Sequence, residues 1–170
     1  MHNRIATGGT LMDPNAVIEV FRRNLTEHYF DLKGRVGQRE FWYFVLASFV
    51  VYIVAAIVNA VIRTGLLVPL ASLALLLPMT GLAMRRLQDV GRDGSLVWVW
   101  TISVAAMQLI GLLTVLSGPM GFLYFFFAVG WLITLIGLVS LVASIALIYF
   151  CIQPGTAGAN QFGPDPKTTA

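Results

Sequence analysis

FWYFVLASFVVYIVAAIVNAVI, Phe41 to Ile62, carries no charged side chain. Wound as a helix rising 1.5 Å per residue, such a run is long enough to cross a hydrocarbon core of roughly 30 Å. Three further uncharged runs follow, Leu66 to Met84, Ser95 to Ser117 and Met120 to Gln153. In lipid every backbone amide must be satisfied within the segment, so runs of this kind are read as helices. The fold class is therefore an all-α integral membrane protein, a four-helix transmembrane bundle with spans about 41–62, 66–84, 95–117 and 122–151.

Composition agrees: 58% of the 170 residues are hydrophobic and 11% charged, against about a quarter charged in soluble domains. Mean hydropathy is +0.81. The first forty residues hold charges throughout and lack an apolar core before a small-residue cleavage site, so insertion is expected to start from the first span. The single cysteine, Cys151, excludes an internal disulfide and a cysteine-built metal cage, and is read as a small apolar filler.

The placement of charge matters more than the net +3. Arg4, Arg22, Arg23, Lys33, Arg35 and Arg39 precede the first span, Arg85, Arg86 and Arg92 lie between the second and third, and Lys167 is in the tail. Cationic loops stay on the cytoplasmic side, which puts both termini and the 85–94 loop in the cytoplasm. The turns around Arg63 to Gly65 and around Gly118 and Pro119 then face outward.

Residues 1–12 read as a disordered leader, and 13–32 as an amphipathic interfacial helix. Asp13 and Pro14 form a start signal. Val17, Ile18, Phe21, Leu25 and Tyr29 recur on one side, with Arg22 and Arg23 placed for anionic headgroups. A partner-binding helix is the alternative. Residues 33–153 form the membrane domain and 154–170 a cytoplasmic tail.

Within the spans, Pro78 is expected to free a carbonyl that needs another partner. Ala56 and Ala60, and Gly137, Ser140 and Ser144, offer small-residue stripes for close helix approach. The long last run is open between one tilted helix from about Phe122 and a surface stretch, Phe122 to Phe127, before a helix from about Gly130.

The spans lack the ionisable residues that mark proton and ion pathways. Asn59 and Gln108 are read as interhelical hydrogen-bonding groups. His2 and His28 have no neighbours at metal spacing; Asp89 to Gly94 fails as a calcium loop because Trp100 stands where a glutamate is needed. Asn24-Leu25-Thr26 is an accidental glycosylation match on the cytoplasmic side. No cofactor and no metal are expected, and no catalytic motif occurs.

Three polar segments remain at one expected depth: residues 30–42 before the first span, the 85–94 loop, and the 154–166 tail. Together they resemble the bacterial inner-membrane family catalogued as domain of unknown function 805, with its F-x-G-R-x-x-R-x-E-[FY]-W, R-R-L-H-D-x-G-R-S-G-W and P-G-T-x-G-x-N-x-[FY]-G-P-D-P motifs. Gly34, Arg35, Arg39, Glu40 and Trp42 match the first, with Leu32 for the aromatic. Arg85, Arg86, Leu87, Asp89, Gly91, Arg92 and Gly94 match the second, while Gln88 replaces the usual histidine, Asp93 the serine and Ser95 the tryptophan. The tail matches nearly throughout. The resemblance covers about residues 29 to 166 and implies a bacterial inner-membrane location with no established activity.

The leading expectation is a non-enzymatic membrane protein with one cytoplasmic interaction site built from Arg35, Arg39, Glu40, Trp42, Arg85, Arg86, Asp89, Arg92, Asn160 and Asp165. Glu40 and Asp89 are the natural acceptors for Arg35, Arg86 or Arg92, and the tail is expected to pack over the arginine loop. Expected partners are a bilayer with anionic headgroups and a protein partner or second copy, without nucleic acid. The alternatives are a small-molecule transporter or channel component, and a membrane enzyme acting on lipid headgroups. A cavity lined by Asn59, Gln108 and serines would favour the first alternative; clustered carboxylates would favour the second. In cysteine-accessibility labelling of intact cells, a cysteine at Thr64 or Ser117 should react and one at Asp93 or Lys167 should not; labelling at 93 from outside would invert the topology.

Overall fold

The computed structural model describes residues 13–167, without the side chains at positions 122 and 125; the leader expected over 1–12 lies outside them. Five helices follow in order: α1 (Pro14–Thr26), α2 (Gln38–Ile62), α3 (Leu67–Asp89), α4 (Ser95–Leu116) and α5 (Gly118–Ile152). The last four are each long and apolar enough to cross a membrane. Among the described residues the only β pairing is an isolated bridge between Asn160 and Gly163. The chain is an all-helical membrane protein with four spans.

Two tight turns close one end of the bundle. At the first, Arg63 takes a left-handed backbone with φ 54° and Gly65 follows at φ 72°, while the Asn59 carboxamide accepts hydrogen bonds from the Thr64 hydroxyl (3.1 Å) and the Leu67 amide (3.3 Å). Asn59 thus ties α2 to the first turn of α3. At the second turn Gly118, φ 64°, lets α5 start directly after α4. α5 is one continuous helix of 35 residues, about 52 Å long, so the aromatic stretch belongs to it. Longer than the hydrocarbon core, it must tilt or project.

The centre of the bundle is α3. From Thr80 to Asp89 every residue is buried, because α2, α4, α5, α1 and the 27–37 loop all pack around that end. Thr80 and Thr101 join α3 to α4 through their hydroxyls at 2.9 Å. In contrast, α2 beyond Ser48 has no buried residue, as suits a helix facing lipid. The small-residue stripes do not act alike. Ala56 and Ala60 are exposed and Gly137 has open space beside it, whereas Ser144 accepts the Trp100 indole N–H at 3.0 Å.

α1 begins as its signals dictate, the Asp13 carboxylate accepting the Asn15 amide at 2.9 Å with Pro14 as first residue. It ends at Thr26, six residues short of the expected limit, and runs antiparallel along α2. Phe21 meets Phe44 at 5.3 Å between ring centroids, and Val20 and Leu25 also pack on the core. The apolar edge of α1 therefore rests on the chain's own bundle, leaving Ile18 exposed.

The 27–37 loop then crosses α3. A Cβ at Gly81 would lie 2.8 Å from the Asp31 carbonyl oxygen, so only glycine admits the loop this close. Pro78 cannot donate to the Ala74 carbonyl, four residues earlier. The Tyr29 hydroxyl does so instead, at 2.8 Å. Tyr29→Phe should therefore cost about 1 kcal/mol in thermal denaturation of the detergent-solubilised protein. In a Pro78→Ala background, where the helix supplies its own donor, the same change should cost clearly less; equal losses would mean that Tyr29 does not serve the proline.

Candidate functional site

The end of the bundle opposite the two turns gathers the three polar segments. Asp89, the last residue of α3, is its pivot: Arg35 donates from Nε to one carboxylate oxygen at 3.0 Å, and Arg86 donates from Nη1 to the other. The three side chains are 5% exposed or less. Burial of ions at this level is tolerated only when their remaining donors are satisfied, and here they are. Arg35 also donates to the carbonyls of Thr156 (2.6 Å), Gly158 (2.5 Å) and Gly163 (3.3 Å). Arg86 donates from Nε and Nη2 to the Cys151 carbonyl, both at 3.2 Å, and to that of Gln153.

Arg86 thereby caps the C-terminus of α5, where a cation meets the negative end of the helix dipole. Gln38, from α2, donates to the Ile152 carbonyl at 3.0 Å. The final turn of α5 is thus locked by side chains from α2 and α3.

The tail follows as a strap. The Thr156 backbone amide and hydroxyl both donate to the Asp89 carbonyl, at 2.8 and 3.0 Å, and the Asn160 side-chain amide donates to the Gln88 carbonyl at 3.0 Å. A Cβ at Gly155 would fall 2.2 Å from the Asp89 carboxylate, so glycine is required there. Asp165 accepts the backbone amides of Lys167 and Gly158, both at 3.0 Å. Those hydrogen bonds hold its carboxyl below the usual aspartate value of 3.8. Its contribution to the strap is full above that value and lost as pH falls through the lower folded one.

A second polar layer joins α1 to the bundle. Glu40 accepts Arg23 at 2.6 Å and Asn24 at 3.4 Å, and Asn24 accepts Arg85 at 2.8 Å. This corrects one expectation: the partner of Glu40 is Arg23, not Arg35, Arg86 or Arg92, because α1 lies alongside α2 and brings Arg23 to it. Arg92 instead stacks on the Phe150 ring, 4.4 Å from the centroid, a cation–π contact. Arg39 is exposed. Trp42 faces the apolar cleft between α2 and α5, edge-on to Phe41.

Sequence reading overlooked Asn24 and Thr156. Asn24 falls on the apolar edge of α1, one turn after Val20 and Phe21; a polar residue there signals a buried partner. It is fully buried, so the glycosylation match is structurally inaccessible. Among the described residues no group of His, Cys, Asp and Glu is placed to hold a metal ion.

The family described as "Protein of unknown function (DUF805)" matches residues 29–164, a stretch that starts at the Tyr29 staple and ends in the strap. This chain belongs to the DUF805 family. Relatives of this DUF805 member include the inner membrane protein YhaI of Escherichia coli K12, 30% identical over 85% of this chain and 92% of that one. The inner membrane protein YhaH of the same strain is 25% identical over 83% and 91%, and the protein YiiR is 30% identical over 81% and 87%. No solved structure matches. At Gln88, where the family motif carries histidine, the amide donates to the Leu32 carbonyl at 3.0 Å.

Asp89→Asn leaves two buried guanidiniums without their counter-ion and should destabilise this DUF805 member by about 3–5 kcal/mol. Glu40→Gln, at a partly exposed pair, should cost no more than about 1 kcal/mol. Thermal denaturation in detergent and tryptic cleavage after Lys167 measure both; equal losses would place the pivot elsewhere.

Proposed function

We propose that this DUF805 member is a non-enzymatic protein of the bacterial cytoplasmic membrane, with both termini in the cytoplasm, whose polar end is a preformed docking surface for an acidic protein partner. The orientation rests on the basic segments, which collect at that end. The observation that carries the reading is the division of its charges. Arg35, Arg85, Arg86, Asp89 and Glu40 are occupied by one another, by Asn24, Arg23 and backbone carbonyls. Lys33, Arg39 and Arg92 are exposed and make no ion pair among the described residues.

The internal set makes the surface rigid, and the external set gives it a sign. Rigidity before binding lowers the ordering cost of association. Opposite charge on a partner supplies register and on-rate. A catalytic reading would call for carboxylates free to move protons; Asp89 and Glu40 are committed to arginines. A pore reading would call for a polar lumen, and the cavities between α2 and α5 and between α4 and α5 are apolar, with neither Asn59 nor Gln108 on their walls.

The test is co-purification of the full chain in mild detergent with quantitative mass spectrometry, comparing the native protein with Arg39→Glu/Arg92→Glu. A protein held by the native chain should be depleted on the order of tenfold by the charge reversal, the equivalent of about 1.4 kcal/mol, while insertion and tryptic resistance stay unchanged. An identical set of retained proteins would overturn the docking surface.

A further inference from the structure

Helices α2 and α5 meet at the polar end, where Gln38 reaches the Ile152 carbonyl, and separate beyond it. Between them lies a cavity of about 250 Å³, backed by α3 and α4, with Phe41, Trp42, Met79, Trp100, Leu147 and Ile148 on its walls. At roughly 30 Å³ for a water-sized group, it accommodates on the order of eight methylene-sized groups.

Besides the Trp42 indole N–H and the buried Cys151 thiol, the side-chain polar groups of its wall are met within the protein. The Trp100 indole N–H is given to Ser144, and the Ser144 hydroxyl to the Ser140 carbonyl at 2.7 Å. A hydrocarbon chain can therefore fill the cleft without breaking a hydrogen bond, whereas a polar solute would lose its own. The cleft lies between segments read as spanning the bilayer, where the adjoining material is lipid tails as apolar as leucine.

The mouth has a sign as well. Arg39 precedes Trp42 by one helical turn, on neighbouring positions of the same side. It is exposed and makes no hydrogen bond or ion pair among the described residues. A guanidinium at headgroup level above an apolar slot matches a phosphate above an acyl chain.

We propose that the cleft between α2 and α5 is a binding site for one acyl chain of an anionic phospholipid, whose phosphate is met by Arg39. The slot lies inside the span and shares only Arg39 with the docking surface, so lipid binding by the isolated chain is read without any protein partner. The alkyl chain supplies the affinity, and Arg39 supplies the preference for an anionic lipid.

Native mass spectrometry of the full delipidated chain in mild detergent, titrated with defined lipids, tests this. Dioleoyl-phosphatidylglycerol should bind saturably at one per chain and ahead of dioleoyl-phosphatidylcholine. Dihexanoyl-phosphatidylglycerol, with the same headgroup and chains too short to fill the slot, should bind at least tenfold more weakly. Ala83→Leu, which fills the back of the cleft, should weaken both long-chain lipids at least tenfold; Ile148→Trp, at the lip, serves the same purpose if the first variant does not fold. Arg39→Gln should abolish the preference for phosphatidylglycerol and keep the one-per-chain binding. Unsaturable binding that ignores the cleft variants, or equal affinity for the short-chain lipid, would overturn the proposal.

Discussion

Two guanidiniums and one carboxylate sit out of water at the end of α3, and that placement constrains everything around them. Arg86 is fully buried, and an ion so placed is stable only if each of its donors finds an acceptor. Asp89 supplies one. The others are backbone carbonyls from the end of α5 and the start of the tail. Arg35 repeats the pattern with carbonyls farther along the tail. The tail cannot leave without stranding both cations, nor can α5 shift along α3 without uncapping its last turn. A segment of glycines, prolines and small polar residues is held by a charge buried in a helix.

The same logic governs the covering of α3. Pro78 opens a carbonyl in the span, where no water is present to take it up, and Tyr29 answers from the 27–37 loop. Gly81 makes room for that loop. Asn24, Glu40 and Arg23 then fasten α1 over it. The Ala74 carbonyl and the Asn24, Arg23 and Glu40 side chains thus each hold a particular segment of chain, and those segments together form the closed polar end. By contrast the opposite end is closed by short turns alone, with Asn59 as their only side-chain brace to the next helix among the described hydrogen bonds.

This division leaves two chemically different faces. The polar end is tied together by buried ion pairs and carries exposed cations outside. The cleft beneath it is apolar, with the Trp100 indole and the Ser144 hydroxyl paired. On the readings proposed above, the outer face would receive a protein and the cleft a hydrocarbon chain.

Sequence alone determined the four spans, the N-terminal helix start at Asp13 and Pro14, and the nearness of the three polar segments, because hydrophobic length, cap chemistry and the order of helices are local properties. It also marked Pro78 as needing a partner. Which atoms meet was decided by tertiary structure. Glu40 and Asp89 are both acceptors near several arginines, and composition cannot rank the pairs; the antiparallel seat of α1 on α2 assigns Arg23 to Glu40, and the register of α3 against α5 assigns Arg86 to the Cys151 and Gln153 carbonyls. Amphipathicity of α1 showed that it has an apolar edge, yet a bilayer and a neighbouring helix are equally apolar. Only the packed chain showed Phe21 on Phe44. Likewise a continuous α5 and the cleft beside it depend on where helices diverge, which no periodicity along one strand of sequence contains.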